Sequence, residues 1–213
     1  MTRKDKDMTQ TAVFWDRLAD RYAAQPIKDQ TAYEQTLDRT RSYLSETDSV
    51  LELGCGTGTT ALILAPHVGH ITATDYSEGM IRIGEEKARA DGARNVTFRQ
   101  AGLTDARLGK NAYDAVLAFN LFHLVPDLDT ALRGVSDFIK PGGYLISKTA
   151  CLAGNPLFRV MVPLMRLIGK APYVSFMTRA ELEAKITRAG FRIVETGDHP
   201  AKGHTRFIVA QKL

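Results

Sequence analysis

Val50-Leu51-Glu52-Leu53-Gly54-Cys55-Gly56-Thr57-Gly58 is the stretch whose reading decides the fold. An apolar run of strand character, Ser49–Leu53, ends in a glycine-rich turn, and the turn leads into an apolar-periodic segment, Thr59 to Pro66, with the spacing of a helix. Glycine in such a turn supplies positive φ and lets a ligand approach the backbone without meeting a Cβ. The helix N-terminus behind it adds oriented N–H groups that suit an anionic ligand end such as a carboxylate.

The glycine spacing separates two cofactor classes. A dinucleotide turn reads G-x-G-x-x-G and seats a pyrophosphate on the helix N-terminus. Here Gly54, Gly56 and Gly58 give G-x-G-x-G, Thr59 stands at the last dinucleotide glycine position, and Glu52 lies two residues before Gly54. This E-x-G-x-G-x-G pattern resembles motif I of the class I S-adenosylmethionine-dependent methyltransferases. Three further segments resemble that family in the expected order: Thr74-Asp75-Tyr76-Ser77-Glu78-Gly79-Met80, Tyr113 to Leu124, and Lys140-Pro141-Gly142-Gly143-Tyr144-Leu145. The resemblance spans Ser49 to Leu213. It implies an α/β, Rossmann-like fold, with a mostly parallel seven-stranded sheet, a C-terminal antiparallel hairpin and helices on both faces. It also implies S-adenosyl-L-methionine as cofactor, S-adenosyl-L-homocysteine as product, and methyl transfer by in-line displacement.

The rest of the chain agrees with an alternating α/β rhythm. Two amphipathic helices, from Thr11 to before Pro26 and from Asp29 to Ser45, precede the first strand; residues 1–10 are polar and read as frayed. Further strands are expected at His70–Asp75, Val96–Gln100, Tyr113–Phe119 and Tyr144–Thr149. Helices are expected at Ser77–Asp91, capped by Ser77, and at Asp127–Ile139. Residues 155–176 are richly apolar and interrupted by Pro163 and Pro172, which reads as a broken helix. Thr178 caps a helix to Ala189, and Phe191–Thr196 with Thr205–Gln211 reads as an antiparallel hairpin. The expected organisation is a single domain: a helical cap over 1–46, a cofactor-binding core over 47–154, a lid-like insertion over 155–176, and a C-terminal helix and hairpin over 177–213.

Bulk properties narrow the partners. The 213 residues are 44% hydrophobic and 24% charged, ordinary globular values. No run of about 18 apolar residues occurs, and the start MTRKDKDMTQ carries no apolar leader core, so a cytoplasmic protein, in places peripheral to a membrane, is expected. Cys55 and Cys151 have neither metal-ligand nor disulfide spacing, so no metal is expected. Charge is uneven: residues 140–213 carry 12 Lys/Arg against 4 Asp/Glu, and residues 1–139 carry 16 against 20. A basic C-terminal third suits a solvated surface, an acidic substrate, an anionic membrane or nucleic acid. Nucleic acid is disfavoured, because the stretch after Phe119 lacks an N/D-P-P-Y/F signature and no RNA-binding module is visible.

The resemblance assigns roles residue by residue. Glu52, Gly54, Cys55, Gly56 and Gly58 line the motif I turn. Asp75, ending the second strand, would accept both ribose hydroxyls, with Tyr76 and Met80 as adenine walls. Family members commonly carry an Asp after the third strand, where this chain has Gly102, so adenine recognition falls to the backbone of Ala101, Gly102 and Leu103 or to Gln100 or Thr104. Phe119 and Asn120 would face the methionine part, with Tyr22 and Tyr33 closing from the cap. Asp114 reads as structural. A hydroxyl or ammonium acceptor has a proton to lose, and His123 is the best-placed base; His199 and His204 read as surface residues.

The acceptor is expected between the N-terminal helices and residues 155–176, where Leu157, Phe158, Val160, Met161, Leu164, Met165, Leu167 and Ile168 alternate with Arg159, Arg166 and Lys170. This composition fits a lid over an apolar or amphipathic small molecule, an element on anionic lipid, or a core or homodimer contact. Alternatives to a small-molecule methyltransferase are a methyltransferase of phospholipid or membrane-associated substrates and a non-catalytic S-adenosylmethionine-binding protein.

Overall fold

The computed structural model describes residues 3–154, 156–201 and 203–213; the side chains of residues 3–10, 156 and 160 are outside the description, as are Asn155 and Lys202. The expected start of the insertion at Asn155 and the apolar side chain of Val160 therefore fall outside the described residues.

The strands are β1 (Ser49–Leu53), β2 (His70–Asp75), β3 (Val96–Gln100), β4 (Tyr113–Phe119), β5 (Ile139–Ala150), β6 (Phe191–Gly197) and β7 (Thr205–Lys212). They form one seven-stranded sheet in the order β3-β2-β1-β4-β5-β7-β6. Pairings β1–β2, β2–β3, β1–β4 and β4–β5 are parallel, and β7 runs antiparallel to both β5 and β6. The chain winds outward from β1 to β3 and then returns to add β4 on the other side of β1. That reversal opens a crevice at the carboxyl ends of β1 and β4, where open α/β sheets bind ligands.

Side chains alternate across β1, and both faces are covered. Leu51 and Leu53 join Val116, Ala118 and Leu145 in one core, closed by helices α5 (Leu128–Phe138) and α7 (Arg179–Arg188). Val50 joins Ala73, Ala115, Leu117 and Ile146 in the other, closed by α2 (Gln30–Arg41), α3 (Thr59–Leu64) and α4 (Glu78–Asp91). Burial on two faces explains why β1 and β4 read as continuous apolar runs. Helix ends follow their caps: Ser77 Oγ accepts from Met80 N, Asp127 caps α5, and Thr178 with Glu181 forms a capping box on α7.

Three elements differ from expectation. The first helix, α1, spans Arg3–Ala23, so the polar start continues a helix instead of fraying. β5 begins at Ile139 and absorbs the Lys140-Pro141-Gly142-Gly143 turn as a bulge, with pairing shifted between Tyr113 and Ala115. A Cβ on Gly143 would stand 2.6 Å from the Asp114 carbonyl oxygen, which is why glycine sits there. α6 (Pro156–Leu167) runs through Pro163 without breaking there. Proline removes one intrahelical bond, to the Arg159 carbonyl, and both residues are exposed, where water can take its place. Gly169, at φ +68°, then ends the turn, with Lys170 N donating to Met165 O at 2.9 Å.

Candidate active site

The turn after β1 holds three glycines at positive φ: Gly54 at +64°, Gly56 at +54° and Gly58 at +74°. Their surroundings differ. A Cβ on Gly58 would stand 2.5 Å from the Phe98 ring, and one on Gly54 would stand 2.7 Å from Leu121 Cδ1, so both are fixed by packing as well as by φ. A Cβ on Gly56 would meet only Tyr22 Cε1, at 3.7 Å. Backbone access is thus left open at Gly56, in the middle of the turn. Cys55 N donates to Thr74 O at 2.9 Å, locking the turn to β2, and burial pushes the Cys55 thiol well above its ordinary range. Lys87 on α4 ties the far side, donating to Thr57 Oγ1 at 2.9 Å and Thr59 Oγ1 at 3.0 Å.

Two carboxyl groups face this turn, and their surroundings are opposite. Asp75 accepts from Gly56 N at 3.0 Å through Oδ2 and from Ser77 N at 2.9 Å through Oδ1. Burial raises its pKa, and the backbone donors pull it back. Glu52 is 2% exposed, and its Oε2 has no hydrogen-bond partner among the described residues. Burial, then the neighbouring Asp75 charge, pushes the Glu52 pKa up to about 8.

The cap helices close over the same place. Asp16 of α1 accepts from Ser77 Oγ at 2.6 Å and from Gly79 N at 3.0 Å, so α1 is pinned to the first turn of α4. One turn and a half further on, Tyr22 is 48% exposed; partial burial, then the charges of Asp75 and Glu52, raises its phenol pKa. Tyr33 of α2 pairs its hydroxyl with Thr60 Oγ1 at 3.0 Å, and burial, with Glu52 nearby, raises its pKa. Glu52, Gly56, Asp75, Tyr22 and Tyr33 are therefore gathered at one point.

The remaining expected residues divide. Tyr76 leans over Gly102, where a Cβ would fall 2.6 Å from the Tyr76 hydroxyl oxygen, so an Asp at position 102 would require Tyr76 to move. Gln100 Nε2 is engaged with Tyr76 O at 2.9 Å. Ala101 N donates to Asp75 O at 3.1 Å, and Leu103 is 8% exposed in the core. Met80 is 3% exposed and packs with Ala19 and Ile83 under α1, a cap contact that the sequence did not announce. Phe119 ends β4, and Asn120 follows at φ +53°, its N–H held by Lys148 O at 2.7 Å. A short 3₁₀ turn, Phe122–Leu124, then carries His123.

Burial pushes the His123 pKa down to about 4, and Nδ1 is buried without a hydrogen-bond partner among the described residues. Ser147 and Thr149 on β5 are both fully buried, and their hydroxyls share that condition. Neither hydroxyl was singled out by sequence, because a small polar residue in a strand carries no distinguishing pattern. Asp16 and Lys87 were missed for a related reason: only the tertiary fold reveals their contacts. Asp114 is structural, accepting from Ser49 N at 2.9 Å and pairing with Lys140 at 2.7 Å. Of the two hairpin histidines expected at the surface, His204 is exposed, whereas His199 is half-buried against Phe207, with ring centroids 5.7 Å apart.

Comparison with known proteins agrees with this geometry. Residues 50–143 match the family described as "Methyltransferase domain". The demethylmenaquinone methyltransferase of Clavibacter sepedonicus is 35% identical over 103 residues, covering 46% of this chain and 40% of that protein. The ubiquinone biosynthesis O-methyltransferase of Acinetobacter baumannii is 28% identical over 159 residues, covering 70% of this chain and 66% of that protein. The chain thus spans less than two thirds of the length of each of these curated relatives. The structure of geranyl diphosphate C-methyltransferase from Streptomyces coelicolor A3(2), in complex with Mg2+, geranyl diphosphate and S-adenosyl-L-homocysteine, superposes with a TM-score of 0.75 at 16% identity, covering 97% of this chain and 98% of that one. Residues 50–143 thus match a methyltransferase domain, and the motifs and strand order of the chain are similar to those of the class I S-adenosylmethionine-dependent methyltransferases.

Proposed function

We propose that the protein transfers a methyl group from S-adenosyl-L-methionine to a small, apolar or amphipathic acceptor. One observation carries the reading: a three-glycine turn open at Gly56 stands between Glu52 and Asp75 at the β1/β4 switch point. The residues present fit that cofactor. Glu52 Oε2 is a buried acceptor in want of a donor, which an ammonium group would supply. Asp75 keeps acceptor capacity beyond the backbone bonds from Gly56, Ser77 and Tyr76 for vicinal ribose hydroxyls. When bound, the cofactor supplies an electrophilic methyl group on a sulfonium.

The protein's part is positioning, water exclusion and proton handling. Tyr22 and Tyr33 cover the carboxylate pair from the cap, and Phe119 with Asn120 shapes the wall at the end of β4. His123, neutral at ordinary pH because burial disfavours its charge, has a lone pair free to receive the acceptor's proton. The names of the two curated relatives make quinone-type rings the first acceptors to screen. A cytoplasmic location is part of the same proposal; among the described residues, no helix is long and apolar enough to cross a membrane. The test is a panel of quinone precursors, phenols and lipid extracts incubated with methyl-labelled cofactor. Label appearing in a quinone-type or other small apolar product supports the reading, and label in no member of the panel, with the cofactor bound, contradicts it.

A further inference from the structure

We propose that α6 docks the protein on an anionic lipid bilayer, with the candidate active site facing that surface. The helix has two apolar stripes. Phe158, Val162 and Met165 are half-buried against the protein, and Phe158 meets His204 of the β6–β7 turn edge-on, with ring centroids 6.5 Å apart. The neighbouring stripe points to solvent: Leu157 is 66% exposed, Leu164 62%, Leu167 84% and Ile168 61%, with Met161 at 37%. Spacings of three and four residues from 157 through 161 and 164 to 168 put these on one face. An outward apolar face of this size on a short helix marks an interaction surface.

Charge selects the occupant. Arg159, Arg166 and Lys170 are exposed along the same helix and the turn that ends it, and from Phe138 through Ala180 the chain contains no Asp or Glu. Arg166 is held 5.2 Å over the Tyr173 ring, which fixes the direction of one cation on the polar side of the helix. An apolar stripe on a helix whose polar side carries cations matches headgroup phosphates above acyl chains, with Glu181 the acidic side chain within electrostatic reach of Arg159. The segment returning from α6 ties the surface to the site, since Ser175 N donates to His123 O at 2.7 Å. A bilayer under α6 would therefore deliver an apolar acceptor close to His123. In that respect the inference deepens the methyltransferase reading, but docking itself is measured without turnover.

The experiment is cosedimentation of the intact protein with phosphatidylcholine vesicles, with and without an equal part of phosphatidylglycerol. Binding is expected only to the mixed vesicles and is expected to fall as salt is raised. Leu164→Glu with Leu167→Glu should abolish it, and Arg159→Glu with Lys170→Glu should weaken it at least about twentyfold. These positions are exposed, so thermal midpoint and S-adenosylhomocysteine affinity should stay at wild-type values. Wild-type failure to bind the mixed vesicles, or binding indifferent to both double variants, overturns the proposal. So does a concentration-dependent dimer in sedimentation velocity that Leu164→Glu with Leu167→Glu dissolves, because a second copy would then be the occupant. Lost methyl transfer with intact vesicle binding would count against the enzymatic reading alone.

Discussion

The β1–α3 crossing and α6 are both glycine- or proline-punctuated apolar segments, yet they meet opposite environments. In the crossing, Val50, Leu51 and Leu53 are wholly buried, and two of the three glycines are pressed against Phe98 and Leu121. In α6, Leu167 and Leu157 stand largely in solvent, and proline is accommodated without a break. The crossing is over-determined by packing, so its backbone can present polar groups in fixed positions. The outward stripe of α6 stands largely in solvent, and the docking proposal rests on that exposure. On the proposed reading, cofactor recognition belongs to the first region and acceptor supply to the second.

The comparison can be broken at the crossing first. Asp75→Ala should weaken S-adenosylmethionine binding by at least about tenfold in calorimetry, the loss expected for charge-assisted bonds to two hydroxyls. An unchanged affinity would remove Asp75 from the site. His123→Ala should lower turnover by about a hundredfold or more while leaving cofactor affinity intact. Because its folded pKa lies near 4, wild-type activity should be flat through neutral pH and fall only as pH drops toward that value. A midpoint near the ordinary histidine pKa would place the base elsewhere. Gly58→Ala should cost about 2–4 kcal/mol of stability, combining positive φ with a Cβ at 2.5 Å from Phe98, and would appear as a lowered thermal midpoint.

A smaller effect sharpens the contrast between the two buried carboxyls. The Glu52 pKa is raised from 4.5 to about 8. The folded state therefore keeps a proton that the unfolded state releases, and this contribution to stability is present below pH 4.5 and is lost as pH rises toward about 8. Glu52→Gln removes the ionisation, so it should raise the thermal midpoint more at about pH 9 than at about pH 5. Equal shifts at both values would show that Glu52 is not held in the environment described.

Much of this architecture was legible in the residues. The bounds of β1, β2, β3 and β4, the Ser77 and Thr178 caps, and the β6–β7 hairpin follow from local pattern, because each is fixed by its own periodicity and end residues. The three-glycine turn was equally plain, since positive φ leaves glycine as the natural choice. Contacts between distant segments were not legible: Asp16 capping α4 and Met80 buried beneath α1 depend on how the cap settles. Proline misled in α6, where exposure removes most of the reason for a helix to stop. The Gly102 departure found its reason only in three dimensions, under the Tyr76 ring.

The most direct measurement is a calorimetric titration of the wild-type protein with S-adenosyl-L-homocysteine and, separately, with NADH. Saturable binding of the nucleoside thioether at one site per chain is expected, with no binding of the dinucleotide. Binding of NADH, or of neither compound, would contradict the methyltransferase reading.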